Sequence, residues 1–191
     1  MAATLSAIEH LGYIQIDTIS VVQRAHHHTL WNRNPRYKPE QLDQLIADKH
    51  VFEYWSHAAA YMPMCNYRYS LPRKHALACG DLKHWYPRNE KLMKSVLKRI
   101  AAEGPLMAKD FDDKANNSWK KTAEWQSKPS KQALEYLFMQ GELMISSRSN
   151  FHKVYDLTER VLPEGTNTTL PSPEEYARFL ITQYLQTNGL G

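Results

Sequence analysis

The chain has 191 residues, 42% hydrophobic and 23% charged, which is long enough for one large domain or two small ones and ordinary for a protein with a packed core. No run approaches the roughly 18 apolar residues of a membrane-spanning helix, and the opening Met-Ala-Ala-Thr-Leu-Ser has no signal-peptide pattern, so the expected location is cytoplasmic, with no membrane partner. A net charge of +4 suits a polyanionic partner without requiring one, and Cys65 and Cys79, lacking Cys-x-x-Cys spacing, argue against a disulfide framework and a thiolate zinc site.

Leu5, Ile8 and Leu11 already have helical spacing, as though a helix had begun inside a longer chain. The next segment, Ile14-Gln15-Ile16-Asp17-Thr18-Ile19, is rich in β-branched residues and reads as a strand. In extended backbone Gln15 and Asp17 share one face, about 6 to 7 Å apart, while Ile14 and Ile16 pack behind them. A carboxylate and an amide on a rigid apolar backing can together grip one water. Spacing alone nevertheless favours a half-buried edge strand whose polar side faces solvent.

His26-His27-His28 falls in a helical stretch around Arg24 to Trp31. Successive helical positions point about 100° apart, so three neighbouring imidazoles do not converge on one ion, and they read as solvent- and groove-facing with no metal. Pro39 opens a helix with an apolar stripe of Leu42, Leu45 and Ile46; Val51–Trp55 and Ala59–Met62 then read as two strands joined by a tight turn at His57. From 68 to 99 the chain is basic, with Arg68, Arg73, Lys74, Lys83, Arg88, Lys91, Lys94, Lys98 and Arg99 interleaved with Tyr67, Tyr69, Trp85 and Tyr86. A phosphate-tracking surface and a solvated helical face fit that pattern equally well.

Leu92, Met93, Val96, Leu97 and Ile100 predict a helix ended by Gly104; a second short helix is expected after Pro105, and a third through Ala133, Leu134, Leu137 and Phe138 to Gly141. Lys109 to Lys131, with Asn116-Asn117-Ser118 in its middle, reads as a long mobile connection. Strands Leu143–Ser147 and Phe151–Leu157 follow, turned by Arg148-Ser149-Asn150. Three helices and a hairpin is the order of a winged helix-turn-helix. The earlier helix-and-hairpin pattern, with the likeness of Ala7–Leu11 to Ala133–Leu137, suggests tandem modules. Finally Ser172-Pro173-Glu174-Glu175 is a capping box opening a helix with Tyr176, Phe179, Leu180 and Tyr184 on one face, which stops at Asn188-Gly189 with nothing left to pack on. The fold class expected is α+β, built of tandem winged helix-turn-helix modules. A partial first module occupies 1–88, a second 89–165, and the start of a third 166–191, the chain being cut short at both ends.

The run Leu11-Gly12-Tyr13-Ile14-Gln15-Ile16-Asp17-Thr18-Ile19 resembles the catalytic segment of the AlkZ/YcaQ-like winged-helix DNA glycosylases, with their Gln–hydrophobic–Gln or Gln–hydrophobic–Asp motif. This sequence matches the Asp-containing, YcaQ-type version. Glu53–Ala58 with Met62-Pro63, and Val154–Pro163, are similar to the same family, and the likeness runs in order along essentially the whole chain. The resemblance implies that the chain holds about half of a family member, tandem winged helices being followed there by a β-rich domain.

The implied chemistry is hydrolysis of the N-glycosidic bond between an alkylated base, such as an N7-alkylpurine, and deoxyribose. A cationic base leaves without a strong general acid, so the protein must stabilise cationic character in the sugar and deliver water. Asp17 would serve both needs as a carboxylate, and Gln15 would hold the water or orient Asp17, with no cofactor. The partner implied is double-stranded DNA with alkylated bases or interstrand crosslinks. A base tied to both strands resists flipping, which favours a shallow basic groove with backbone contacts. Candidate DNA contacts are His57, Tyr54, Arg68, Arg73 and Lys74, although Trp55 in the core and His57 as a plain turn residue is the simpler reading of that hairpin. The rival function is a non-catalytic winged-helix DNA-binding or regulatory protein. Less than full activity is expected of this stretch alone.

Overall fold

In the computed structural model, which describes residues 1–17, 23–111 and 128–189, helices alternate with two small antiparallel sheets, the α+β class expected. The first half runs α1 (Ala2–Leu11), β1 (Ile14–Gln15), α2 (Ala25–Arg33), α3 (Pro39–Ala47), β2 (Val51–Trp55) and β3 (Ala59–Pro63), then a 3-10 helix (Met64–Ser70) and α4 (Leu71–Cys79). The second runs α5 (Glu90–Glu103), β4 (Leu106–Met107), a 3-10 turn (Ala108–Phe111), α6 (Pro129–Gln140), β5 (Leu143–Ser149), β6 (His152–Leu157), α7 (Thr158–Val161) and α8 (Pro173–Asn188). Packing divides the chain into two units, 1–72 with 163–191, and 73–162.

In the first unit Pro39 starts α3 at a helix N-terminal position, where its missing N–H has no partner to lose. Ile8, Leu30, Leu42, Leu45 and Tyr54 are fully or almost fully buried and form its core. One buried hydroxyl ties three helices together. Thr4 Oγ1 donates to Gln41 Oε1 at 2.6 Å and accepts from Asn34 Nδ2 at 3.0 Å, so the buried hydroxyl is hydrogen-bonded both as donor and as acceptor. The sheet order is β1-β3-β2, which leaves β1 at an edge.

The capping box of α8 forms as read: Glu175 N donates to Ser172 Oγ and Ser172 N to Glu175 Oε2. The helix is not without a partner, however. Gln183 Nε2 and Thr187 Oγ1 both donate to the His10 carbonyl at the end of α1, and Phe179 stacks on Tyr69 with ring centroids 3.7 Å apart. Leu180 and Tyr184 of the same helix are exposed.

The second unit repeats the construction. Asn89 caps α5, accepting from Leu92 N, and Met93, Val96 and Ile100 turn into a core shared with Leu134, Leu137, Met139 and Leu143. Its sheet order, β4-β6-β5, matches that of the first unit. Asn150 and Phe151 take φ of 47° and 68°, giving the left-handed two-residue turn that suits a twisted hairpin, so the turn lies one to two residues later than read. Glu135 on α6 accepts from Lys153 Nζ and Tyr155 hydroxyl, each at 3.2 Å, fastening the helix to β6.

After Pro105 the described residues form the two-residue strand β4, whose Leu106 and Met107 pair with Tyr155 and Val154 of β6, and a 3-10 turn; most of the stretch in which a second helix was expected, 112–127, lies outside the described residues. Two expectations are corrected. The Ala7–Leu11 and Ala133–Leu137 likeness joins the first helix of one unit to the helix that precedes the hairpin of the other, so the tandem construction rests on topology and not on that repeat. Residues 73–88 and 166–191 pack differently from the division at 88 and 165. His84 and Arg88 lie over Tyr136 of α6, drawing 73–88 to the second unit, while Arg68 pairs with Glu175, drawing α8 to the first. The mobile connection read from Lys109 to Lys131 falls largely outside the described residues. Among the described residues, no helix is long and apolar enough to cross a membrane.

Candidate active site and nucleic-acid surface

The candidate catalytic segment leaves α1 through Gly12, whose φ of 78° closes the helix and whose N–H satisfies the Ile8 and Glu9 carbonyls. Ile14 and Ile16 are then 2% and 7% exposed, Gln15 is exposed and Asp17 half-buried, the alternation read from the sequence. Regular pairing is shorter than the strand read over 14–19. Ile14 stands opposite Tyr61 and Gln15 opposite Ala60, and Ile16 N donates to the carbonyl of Ala59, the first residue of β3. Residues 18 and 19 lie outside the described residues.

Two histidines meet this segment. His57, exposed in the loop between β2 and β3, has Nε2 3.1 Å from Gln15 Oε1 and sets its ring edge-on to Tyr13, centroids 5.4 Å apart. The hairpin loop thus reaches the Gln15 amide on the edge strand. His26, in the first turn of α2, accepts from Asp17 N through Nδ1 at 3.4 Å.

The histidine triplet therefore needs correction: His26 is buried at 3% exposure, His27 half-buried and His28 exposed. The signal was present, since Leu30 lies four residues after His26 and shares its buried face. Burial lowers the proton affinity of His27, whose Nδ1 lies 2.7 Å from the Tyr37 hydroxyl. Tyr13, two residues before Gln15 on the same side of the segment, was legible by alternation and was missed.

The proposed DNA contacts fare unequally. Tyr54 is only 2% exposed and belongs to the core, which removes it as a groove contact. Lys74 is 4% exposed, its stem lying against Gly141, and burial pushes its ammonium down to about 7, so it is no phosphate contact either. Both errors have one physical source, a spacing that names a residue type but not the face it occupies. Arg68 is engaged within the first unit, donating to the Thr169 carbonyl and to Glu175 Oε2 at 3.2 Å each. Arg73 is half-buried, and its Nε makes no hydrogen bond among the described residues.

A strand edge carrying an exposed amide and a half-buried carboxylate, on a helix–strand–helix–helix–hairpin scaffold beside a second unit of the same sheet order, defines a winged-helix-like α+β protein with a polar site on its first sheet. The family described as DNA glycosylase AlkZ-like matches residues 8–191, and the chain belongs to that family. Among solved structures it is similar to Streptomyces sahachiroi DNA glycosylase AlkZ, with a TM-score of 0.61 at 17% identity, covering 98% of this chain. The chain spans 52% of that protein's length.

Proposed function

We infer that these residues form part of a DNA glycosylase that hydrolyses the N-glycosidic bond of alkylated, N7-alkylpurine-type bases and, in the manner of YcaQ-type proteins, unhooks interstrand crosslinks in cytoplasmic DNA. The observation that carries the reading is the alternation at the catalytic segment: Ile14 and Ile16 are buried, and Gln15 and Asp17 are presented on the other side, within the stretch matched by the family.

In this mechanism a water oxygen bonds to the anomeric carbon as the bond from that carbon to the base nitrogen breaks. The bonding pair leaves with the base and neutralises its positive charge, and the proton lost by the water passes to Asp17. The Asp17 carboxylate also faces the positive charge that builds on the sugar, an electrostatic contribution at the point where charge develops. Gln15, steadied by His57, orients the water. Both Gln15 and His57 are exposed, as suits a substrate that cannot be swung into a deep pocket. His57 remains the proposed DNA contact in the hairpin loop.

The test is incubation of the protein with duplex oligonucleotides carrying N7-methylguanine or a nitrogen-mustard crosslink, followed by scoring of abasic sites. Abasic sites at the lesion, and separated strands from the crosslink, are expected. DNA binding without either product would favour the non-catalytic reading.

A further inference from the structure

The geometry points to His26 as the positioning residue for Asp17: a buried imidazole acceptor that fixes the backbone from which the carboxylate projects. The inference rests on Asp17 being the catalytic carboxylate.

The need for such a group follows from the sheet. β1 is an edge strand, and alternate N–H groups of an edge strand point away from the sheet. Ile16 N–H faces β3 and donates to Ala59; Asp17 N–H, one residue on, faces the opposite way. A half-buried amide left unpaired there would be costly, and it would leave the residue's backbone without a fixed direction. His26 Nδ1 takes that N–H at 3.4 Å.

The ring is built to stay where it is. It is 3% exposed, lies edge-on to Tyr61 with centroids 6.0 Å apart, and is tilted against His27 at 4.3 Å. Tyr61 is the β3 residue opposite Ile14, so the same strand that registers the catalytic segment also seats the imidazole. Accepting through Nδ1 puts the ring proton on Nε2, the neutral tautomer. Being buried, His26 acts through the residues it touches and not on a duplex directly.

Asparagine provides the discriminating variant, because its Oδ1 stands close to the position of Nδ1 and can accept the same N–H. In the full-length protein, on a duplex containing N7-methylguanine, His26→Ala is expected to lower kcat between about tenfold and about a hundredfold, with KM within about twofold, the scale of a misplaced catalytic group. His26→Asn is expected to recover most of the loss, and Asp17→Asn to abolish turnover. Unchanged kcat in His26→Ala beside an inactive Asp17→Asn overturns the positioning role and leaves the catalytic assignment standing. Turnover by Asp17→Asn overturns the assignment itself. Should His26→Ala fail to fold, His26→Leu beside His26→Asn decides: with wild-type melting in both, kcat lowered about tenfold or more in His26→Leu and largely recovered in His26→Asn supports the role, and equal kcat in the two variants overturns it.

Discussion

The two units share a topology and divide in charge. Residues 1–72 with 163–191 carry seven Lys and Arg against nine Asp and Glu, whereas 73–162 carry seventeen against eleven. The basic excess that makes the whole chain +4 thus belongs to the second unit alone, while the carboxylate and amide of the candidate site belong to the first, slightly acidic one. One scaffold used twice allows that division, since the sheet order β1-β3-β2 in one unit and β4-β6-β5 in the other leaves surface composition open. A site that must build cationic character in a sugar gains little from neighbouring ammonium groups. A surface that grips phosphate gains from every one it can present.

The hairpins diverge in the same sense. In the first unit a three-residue loop, Ser56 to Ala58, presents His57 to Gln15. In the second a two-residue left-handed turn at Asn150-Phe151 is fastened by Arg148, whose Nη1 donates to the Phe151 carbonyl at 2.6 Å and whose guanidinium lies over the Phe151 ring.

The sharpest challenge to the comparison is a change of charge. Replacing Lys91, Lys94 and Lys98 together by Gln is expected to weaken DNA binding and to make the slope of log affinity against log salt shallower by about 0.9 for each phosphate no longer neutralised. Titration by fluorescence anisotropy at several salt concentrations measures it. Removing Arg33, Arg36 and Lys49 from the first unit should leave the slope nearly unchanged, and an equal effect from both triplets would erase the distinction.

Smaller in effect is Gly141→Ala. Gly141 ends α6 at φ 89°, and an added Cβ would stand 2.8 Å from Lys74 Cδ, a stem too buried to move aside. A loss of about 1–2 kcal/mol is expected, measured as a lowered Tm with DNA binding per folded molecule retained. Stability also depends on pH. With its folded-state pKa pushed down to about 7 by burial, Lys74 releases a proton in the folded chain that the unfolded chain keeps until near its ordinary value. The unfolded state therefore binds more protons above pH 7, and stability rises with pH from about 7 toward about 10. Lys74→Met should flatten that rise in melting curves and leave the salt slope of DNA binding untouched.

Local pattern carried much of the architecture. The hairpin strands fall within two residues of where composition put them, the Ser172–Glu175 box closes on its helix, and Gly141 stops α6. The strand β4 was illegible because two residues have no period, and its pairing partner lies nearly 50 positions away at Tyr155. Of the site, the alternation from Ile14 to Asp17 could be read directly. What could not be read was which polar groups turn inward: Tyr54, Lys74 and His26 each sit where the packing of another element decides the face. For His26 and Lys74 a neighbour on the same helical face, Leu30 and Leu77, was the available sign.

The central claim is that Asp17 performs the chemistry and is dispensable for grip. Its most direct test is single-turnover release of N7-methylguanine from a duplex by Asp17→Asn beside the wild-type protein, with affinity measured in parallel. The account predicts release slowed by at least about a hundredfold and affinity within about twofold. Release at the wild-type rate would contradict it.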